Sequence, residues 1–227
     1  MIIEQLDKNE AIRYLGGKTV DDNMRVLLEK CEQRLLEVLT PRYAYAVYDT
    51  EFCEDGVKLC GSNVTLTGKD IKAHLDGCEK AVLLCVTAGQ NADRLIRTLE
   101  AHDLAEAAMT DSLASVAAEQ ICDRAEQEIF TQLPAVYKTE RFSPGYGDLP
   151  LSLQPALLTL CDAGRRIGLH ATDSLLLTPR KSVTAIIGIS DTPKERVKHT
   201  TNCDTCPARE NCNIRKTGGH CGKNEDN

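Results

Sequence analysis

The sequence predicts an α+β fold: a twisted, mainly antiparallel sheet flanked by helices. Three observations point to it. An Asp55-Gly56 turn sits between short β-prone runs, which is the mark of a hairpin region. Two apolar runs, Lys80 to Thr87 and Ser182 to Ser190, are rich in Val, Leu and Ile and read as buried strands. Apolar residues recur at helical spacing through several long segments, the longest running from Asp103 to Phe130.

The elements follow in order. Asp7, with Glu10 three positions on, starts a short helix over 8–15 that Gly16-Gly17 ends. Asp21 and Asp22 open a second helix. Val26, Leu27, Cys31, Leu35, Val38 and Leu39 line one of its faces, and Thr40-Pro41 closes it. Tyr43 to Phe52 alternates as a strand. The Asp55-Gly56 turn leads to Val57-Lys58-Leu59 and then Val64-Thr65-Leu66. Asp70 starts a short helix that ends near Asp76-Gly77, before the Lys80–Thr87 strand. Asn91 to His102 is an amphipathic helix. In the Asp103–Phe130 helix, Leu113, Val116, Ala117, Ile121, Ala125 and Ile129 form one face, with small side chains that permit close packing. Leu133 to Pro150, broken by three prolines, reads as a loop. Leu153 to Ile167 reads as one helix with Pro155 in its first turn. Leu175–Leu177 and Ser182–Ser190 are the last strands. The apolar pattern stops at Asp191, so the expected organisation is one domain over 1–190 and a Cys-rich tail over 191–227.

Composition narrows the function classes. The 227 residues carry 27 Lys+Arg against 34 Asp+Glu, a net charge of −7, which argues against wholesale nucleic-acid binding. No apolar run approaches the roughly 20 residues of a spanning helix, and the N-terminus shows no signal-peptide pattern, so a cytoplasmic protein is expected. Eleven cysteines are then unusual, because cytosolic thiols stay reduced. Cys31, Cys53, Cys60, Cys78, Cys85, Cys122 and Cys161 are scattered and mostly lie within apolar patterns, so they read as small buried hydrophobes. Cys53 and Cys60 flank the Asp55-Gly56 turn and are a candidate facing pair.

The other four, Cys203, Cys206, Cys212 and Cys221, follow the spacing Cys-x2-Cys-x5-Cys-x8-Cys in a polar, Gly-rich stretch. A segment without apolar anchors that carries four thiols suggests organisation by a metal. Soft thiolate ligands select an iron–sulfur cluster or zinc, and His220 is a substitute ligand. The spacing matches neither common ferredoxin pattern and lacks the second Cys-x2-Cys of a zinc ribbon.

Other motifs fail. Gly17-Lys18-Thr19 lacks the glycine five positions earlier that a phosphate loop needs; Ile12 stands there. Thr87-Ala88-Gly89 reads as a plain strand–helix turn. No dinucleotide fingerprint, His-Glu-x-x-His or nucleophile elbow occurs. The informative stretch is Arg141-Phe142-Ser143-Pro144-Gly145-Tyr146-Gly147-Asp148. Its Pro and Gly content makes it a loop, and loops on rigid scaffolds commonly hold ligands. An Arg can fork onto a carboxylate, a Gly lets a flat ligand approach the backbone, and a Tyr adds a ring and a hydroxyl. The same residues also suit a structural turn.

This loop, the helix after it, and the run Ile167-Gly168…Thr172-Asp173-Ser174…Pro179…Ser182-Val183 together resemble the activation domain of cobalamin-dependent methionine synthase. The spacing Arg141-x-x-x-Gly145-Tyr146 is the sharpest part of the likeness, which is clear over 141–190. The resemblance implies that the chain binds S-adenosylmethionine for reductive methylation of cob(II)alamin. By position, Arg141 would hold the methionyl carboxylate, Ser143 and Gly145 would line the nucleoside through their backbone, and Tyr146 would pack beside it. Glu119, on the upstream helix, would place a carboxylate near the sulfonium. Thr172, Asp173 and Ser174 are expected to be structural. The chain shows no cobalamin-binding region, so a separate cobalamin-dependent methionine synthase or another corrinoid protein is the expected partner. The family's paired tyrosines after the last strand have no counterpart here, and neither does the four-Cys tail in the family. That tail suggests an electron-transfer role served by a donor protein, or alternatively a redox or scaffold protein built around the tail centre.

Overall fold

The computed structural model describes residues 1–16, 21–133 and 137–192. The four tail cysteines and His220 lie outside the described residues. Helix α1 (Lys8–Tyr14) begins where the Asp7 carboxylate accepts hydrogen bonds from the Asn9 and Glu10 amides. Helix α2 (Asp22–Val38) begins at Asp21, which accepts from the Met24 amide. Strand β1 (Arg42–Cys53) turns back into β2 (Gly56–Leu59), and β3 (Thr65–Thr67) follows. Helix α3 (Lys69–His74), strand β4 (Lys80–Thr87), helix α4 (Gln90–Glu100) and the 29-residue helix α5 (Leu104–Gln132) come next. Strand β5 (Tyr137–Lys138), helices α6 (Gln154–Leu160) and α7 (Ala163–Ile167), a small hairpin of β6 (His170–Ala171) and β7 (Leu177–Thr178), and strand β8 (Ser182–Ser190) complete the order.

The main sheet runs β3-β2-β1-β4-β8-β5, and each of its pairings is antiparallel. Strands β4 and β8 are buried on both faces over most of their length, so apolar residues run consecutively, over 81–86 and 185–187, rather than alternating with polar ones. On one face Val82, Leu84, Val86, Ala185, Ile187 and Ile189 pack against α2, α4 and α5. On the other, Ala81, Leu83, Cys85 and Ile186 pack against α3, α6 and α7. A strand between two layers has no solvent face, which is why periodicity alone marked both as continuous runs. Among the described residues no helix is long and apolar enough to cross a membrane.

Five local expectations change. The turn after β1 is formed by Glu54-Asp55, and Gly56 is the first residue of β2, opposite Cys53. A Cβ on Gly56 would stand 2.0 Å from the Leu66 carbonyl oxygen, so the glycine serves the close approach of β3. The register therefore sets Cys53 against Gly56 and leaves Cys60 beyond the end of the pairing, so the two cysteines do not face each other. The stretch read as a loop over 133–150 contains β5 and a bridge from Phe142 to Ile186, because β8 offers an unpaired edge there. The single helix expected over 153–167 is two helices. Asp162 takes a left-handed conformation (φ 52°) that interrupts the ladder between α6 and α7. The last short strand is shifted, with Leu175 at φ 64° in the turn and the pairing carried by His170–Ala171 and Leu177–Thr178.

All seven scattered cysteines are free. Cys31, Cys78, Cys85, Cys122 and Cys161 are buried, while Cys60 is half-buried and Cys53 is exposed. The hydrogen bond with Cys161, reinforced by burial, pushes the Cys85 thiol far up, so Cys85 acts as an inert packing group.

Candidate functional site

The site is built where the chain wraps the β8 edge. Phe142 exchanges two backbone hydrogen bonds with Ile186, at 2.9 and 2.8 Å, which fixes the direction of its neighbours. Successive residues on an extended segment point to opposite faces. Phe142 therefore goes to the α3 face, where its ring lies 4.9 Å from that of His74. Arg141 goes to the α5 face.

There it meets a row of acids. Glu119, Asp123 and Glu126 lie on successive turns of one face of α5. Arg141 Nη1 donates to Asp123 at 2.8 Å and to Glu126 at 3.2 Å, and Nη2 donates to Glu119 at 3.2 Å. The guanidinium is 21% exposed and Glu126 15%, whereas Glu119 and Asp123 are about half exposed. Lys138 pairs with Glu126 and lies over the Phe130 ring. Burial alone would lower the Arg141 pKa. The bond to Asp123, with the charges of Asp123 and Glu119, outweighs it and holds the cation firmly charged. Three carboxylates against two cations leave the cluster net negative.

The loop beyond Arg141 closes on itself. The Gly145 amide donates to the Leu149 carbonyl at 2.9 Å, and the Tyr146 amide to the Ser143 carbonyl at 3.0 Å. Gly145 sits at φ +92°, a conformation that an L side chain adopts only under strain. The Tyr146 ring is 60% exposed and held at one edge by Phe142, in a T-shaped contact with centroids 6.1 Å apart. An open groove of about 720 Å³ runs along α5, lined by Leu104, Asp111, Ser115 and Arg180 among others, and it ends at Glu119.

The structure thus brings four of the expected site residues, Arg141, Ser143, Gly145 and Tyr146, onto one short loop. It joins Glu119 to them through Arg141. Sequence reading missed Asp123 and Glu126, although their spacing from Glu119 on one helix face is a signal in itself. Thr172 and Ser174 make local contacts in the turn before β7. Their hydroxyls stand 2.9 Å apart, and Thr172 also accepts from the Leu176 amide. The Thr87-Ala88-Gly89 turn spends its amides internally, on the Lys181 carbonyl and the Thr87 hydroxyl. Among the described residues no three His, Cys, Asp or Glu side chains converge as a metal site.

The family model for "Vitamin B12 dependent methionine synthase, activation domain" matches residues 69–197, more than half of the chain. The chain belongs to this family. The match takes in α5, the Arg141 loop and β8. Among solved structures, the chain is similar to the crystal structure of the MetH reactivation domain bound to AdoHcy. The TM-score is 0.61 at 16% identity, over 91% of this chain and 76% of that one. At that identity the likeness shows the fold, a mixed arrangement of helices around a mainly antiparallel sheet. Among curated proteins nothing matches the chain.

Proposed function

We propose that this activation-domain protein binds S-adenosylmethionine at the Arg141–Tyr146 loop and supports reductive methylation of cob(II)alamin. The corrinoid would be held by a separate partner, a cobalamin-dependent methionine synthase or another corrinoid methyltransferase. The observation that carries the reading is the charge pattern of the loop. One fork-shaped cation lies across a row of three acids, beside an exposed ring and a tight glycine turn. S-adenosylmethionine carries the complementary set: one carboxylate, an ammonium, a sulfonium and a flat base.

In this reading Arg141 takes the carboxylate in a fork. Glu119 and Asp123, half exposed, exchange part of their contact with Arg141 for the ligand's two positive centres. Tyr146 offers the face of its ring to the nucleoside, and Gly145 lets it lie close to the backbone. The partner's cobalt, once reduced by one electron from outside this domain, would supply the nucleophile for the sulfonium methyl that Arg141, Glu119 and Tyr146 would hold in place. The domain's own contribution is orientation and electrostatics.

Cys203, Cys206, Cys212 and Cys221, with His220 as substitute, would hold a soft metal, an iron–sulfur cluster or zinc. The spacing of those thiols supports a second reading, a redox or scaffold protein whose tail centre relays electrons from a donor protein to the corrinoid partner. Seven free thiols support a reducing, cytoplasmic setting for either reading.

The test is titration calorimetry with S-adenosylmethionine, with and without a cobalamin-loaded partner. Saturable binding that tightens with the partner is expected. Absence of heat in both arms would overturn the proposal.

A further inference from the structure

Helix α3 has only six residues, too short to hold itself together. Its N-cap residue, Gly68, supplies no side-chain hydrogen bond. The cap comes instead from the far side of the Arg141 loop. Asp148 accepts from the Lys69 amide at 2.6 Å and from the Asp70 amide at 3.0 Å. Asp70 returns the contact by accepting from the Asp148 amide at 3.2 Å. A glycine clears the way on each side. A Cβ on Gly68 would stand 2.4 Å from Asp148 Oδ1, and a Cβ on Gly147 2.2 Å from Asp70 Oδ2. The other end of α3 grips the chain just before Arg141. His74 Nε2 lies 2.8 Å from the Thr139 hydroxyl, and the His74 ring packs on Phe142. Both ends of one short helix therefore hold the two sides of the loop.

We propose that Asp148 and Asp70 are positioning residues for the ligand site. They set the backbone of Ser143–Tyr146 in the conformation that receives the nucleoside while touching no ligand atom themselves. The reasoning rests on the proposed binding of S-adenosylmethionine at this loop. A shift of the turn that carries Gly145 and Tyr146 would draw Asp148 away from the Lys69 and Asp70 amides and uncap α3. Loss of two charge-assisted bonds at a partly solvated site is worth about tenfold in affinity.

The experiment measures S-adenosylmethionine binding to the full chain by calorimetry, together with amide hydrogen exchange at Gly145 and Leu149. The variants are Asp148→Ala, Asp148→Asn and Asp70→Ala. Asp148→Asn keeps one acceptor oxygen and the side-chain shape, so it remains a test should the alanine variant fail to fold. The expected result is about tenfold weaker binding for Asp148→Ala and a smaller loss for Asp148→Asn. Gly145 exchange becomes faster, and the Asp148→Ala/Asp70→Ala pair is not additive. Ile129→Val, a destabilising change in the opposite core, leaves affinity unchanged, which separates positioning from general stability. If wild type and Arg141→Ala differ in affinity but the Asp148 variants bind as wild type does, the positioning role is overturned and the ligand site stands. If wild type binds no S-adenosylmethionine, both fall.

Discussion

Replacement of Arg141 by alanine tests the centre of the site. The side chain makes three hydrogen bonds, at 2.8, 3.2 and 3.2 Å, to carboxylates on three turns of α5. Its removal leaves Glu119, Asp123 and Glu126 with Lys138 as the nearby cation, bound to Glu126. Two of the three acids are about half exposed, so water screens their repulsion, and the cost to the fold is about 1–2 kcal/mol. That corresponds to a Tm lower by about 2–8 °C for a domain of this size. The effect on the ligand is larger. A charge-assisted fork to a carboxylate contributes about 1.5–3 kcal/mol, so the Kd for S-adenosylmethionine rises about 10- to 150-fold. Arg141→Lys keeps the charge but loses the planar fork and recovers little of this affinity. Calorimetry on wild type and both variants, with circular dichroism to show an intact fold, gives the comparison. A folded Arg141→Ala protein with wild-type affinity would refute the assignment of the carboxylate site.

The acid row makes a prediction about discrimination. Asp123→Asn weakens S-adenosylmethionine more than S-adenosylhomocysteine, which lacks the sulfonium charge, by about threefold to tenfold; equal losses in paired titrations would separate Asp123 from the cation. Cys122 lies buried beneath the cluster. Burial, opposed by Arg141 and reinforced by Glu119, Asp123 and Glu126, pushes its thiol from 9.0 up to about 12. The folded protein therefore keeps this proton longer than the unfolded chain. Its contribution to stability is whole below about pH 9 and is lost as pH rises towards 12. Denaturant unfolding between pH 9 and 11 falls by up to about 1.4 kcal/mol per pH unit through this group, and Cys122→Ala gives a shallower slope. Leu84→Ala, in the fully buried centre of β4, costs about 2–5 kcal/mol by denaturant titration. For the tail, the proposed iron–sulfur centre predicts visible absorbance in anaerobically purified protein that disappears when Cys203 and Cys206 are changed to serine; a colourless, zinc-containing protein would remove the electron-transfer role.

Much of the fold was legible in the residues. The caps at Asp7, Asp21 and Asp103 act within three residues of themselves, so their helices begin where local chemistry places them. The apolar runs of β4 and β8 announced buried strands, because a strand covered on both faces needs nothing else. The motif Arg141-x-x-x-Gly145-Tyr146 marked the loop proposed to bind the ligand, through its resemblance to the family, while its Pro and Gly content marked it as a loop. The broken helix at Asp162 was less legible, because one left-handed residue leaves apolar periodicity on both sides intact.

Tertiary structure alone decided what the loop residues meet. Arg141 faces Glu119, Asp123 and Glu126 because Phe142 pairs with Ile186 and turns its neighbour to the α5 side. Asp148 caps α3 across a separation of 78 residues to Asp70, which no local rule connects. Local propensity reaches one helical turn or one hairpin. The partners of a charged side chain are set by which layers the sheet brings together, and that is a property of the packed core.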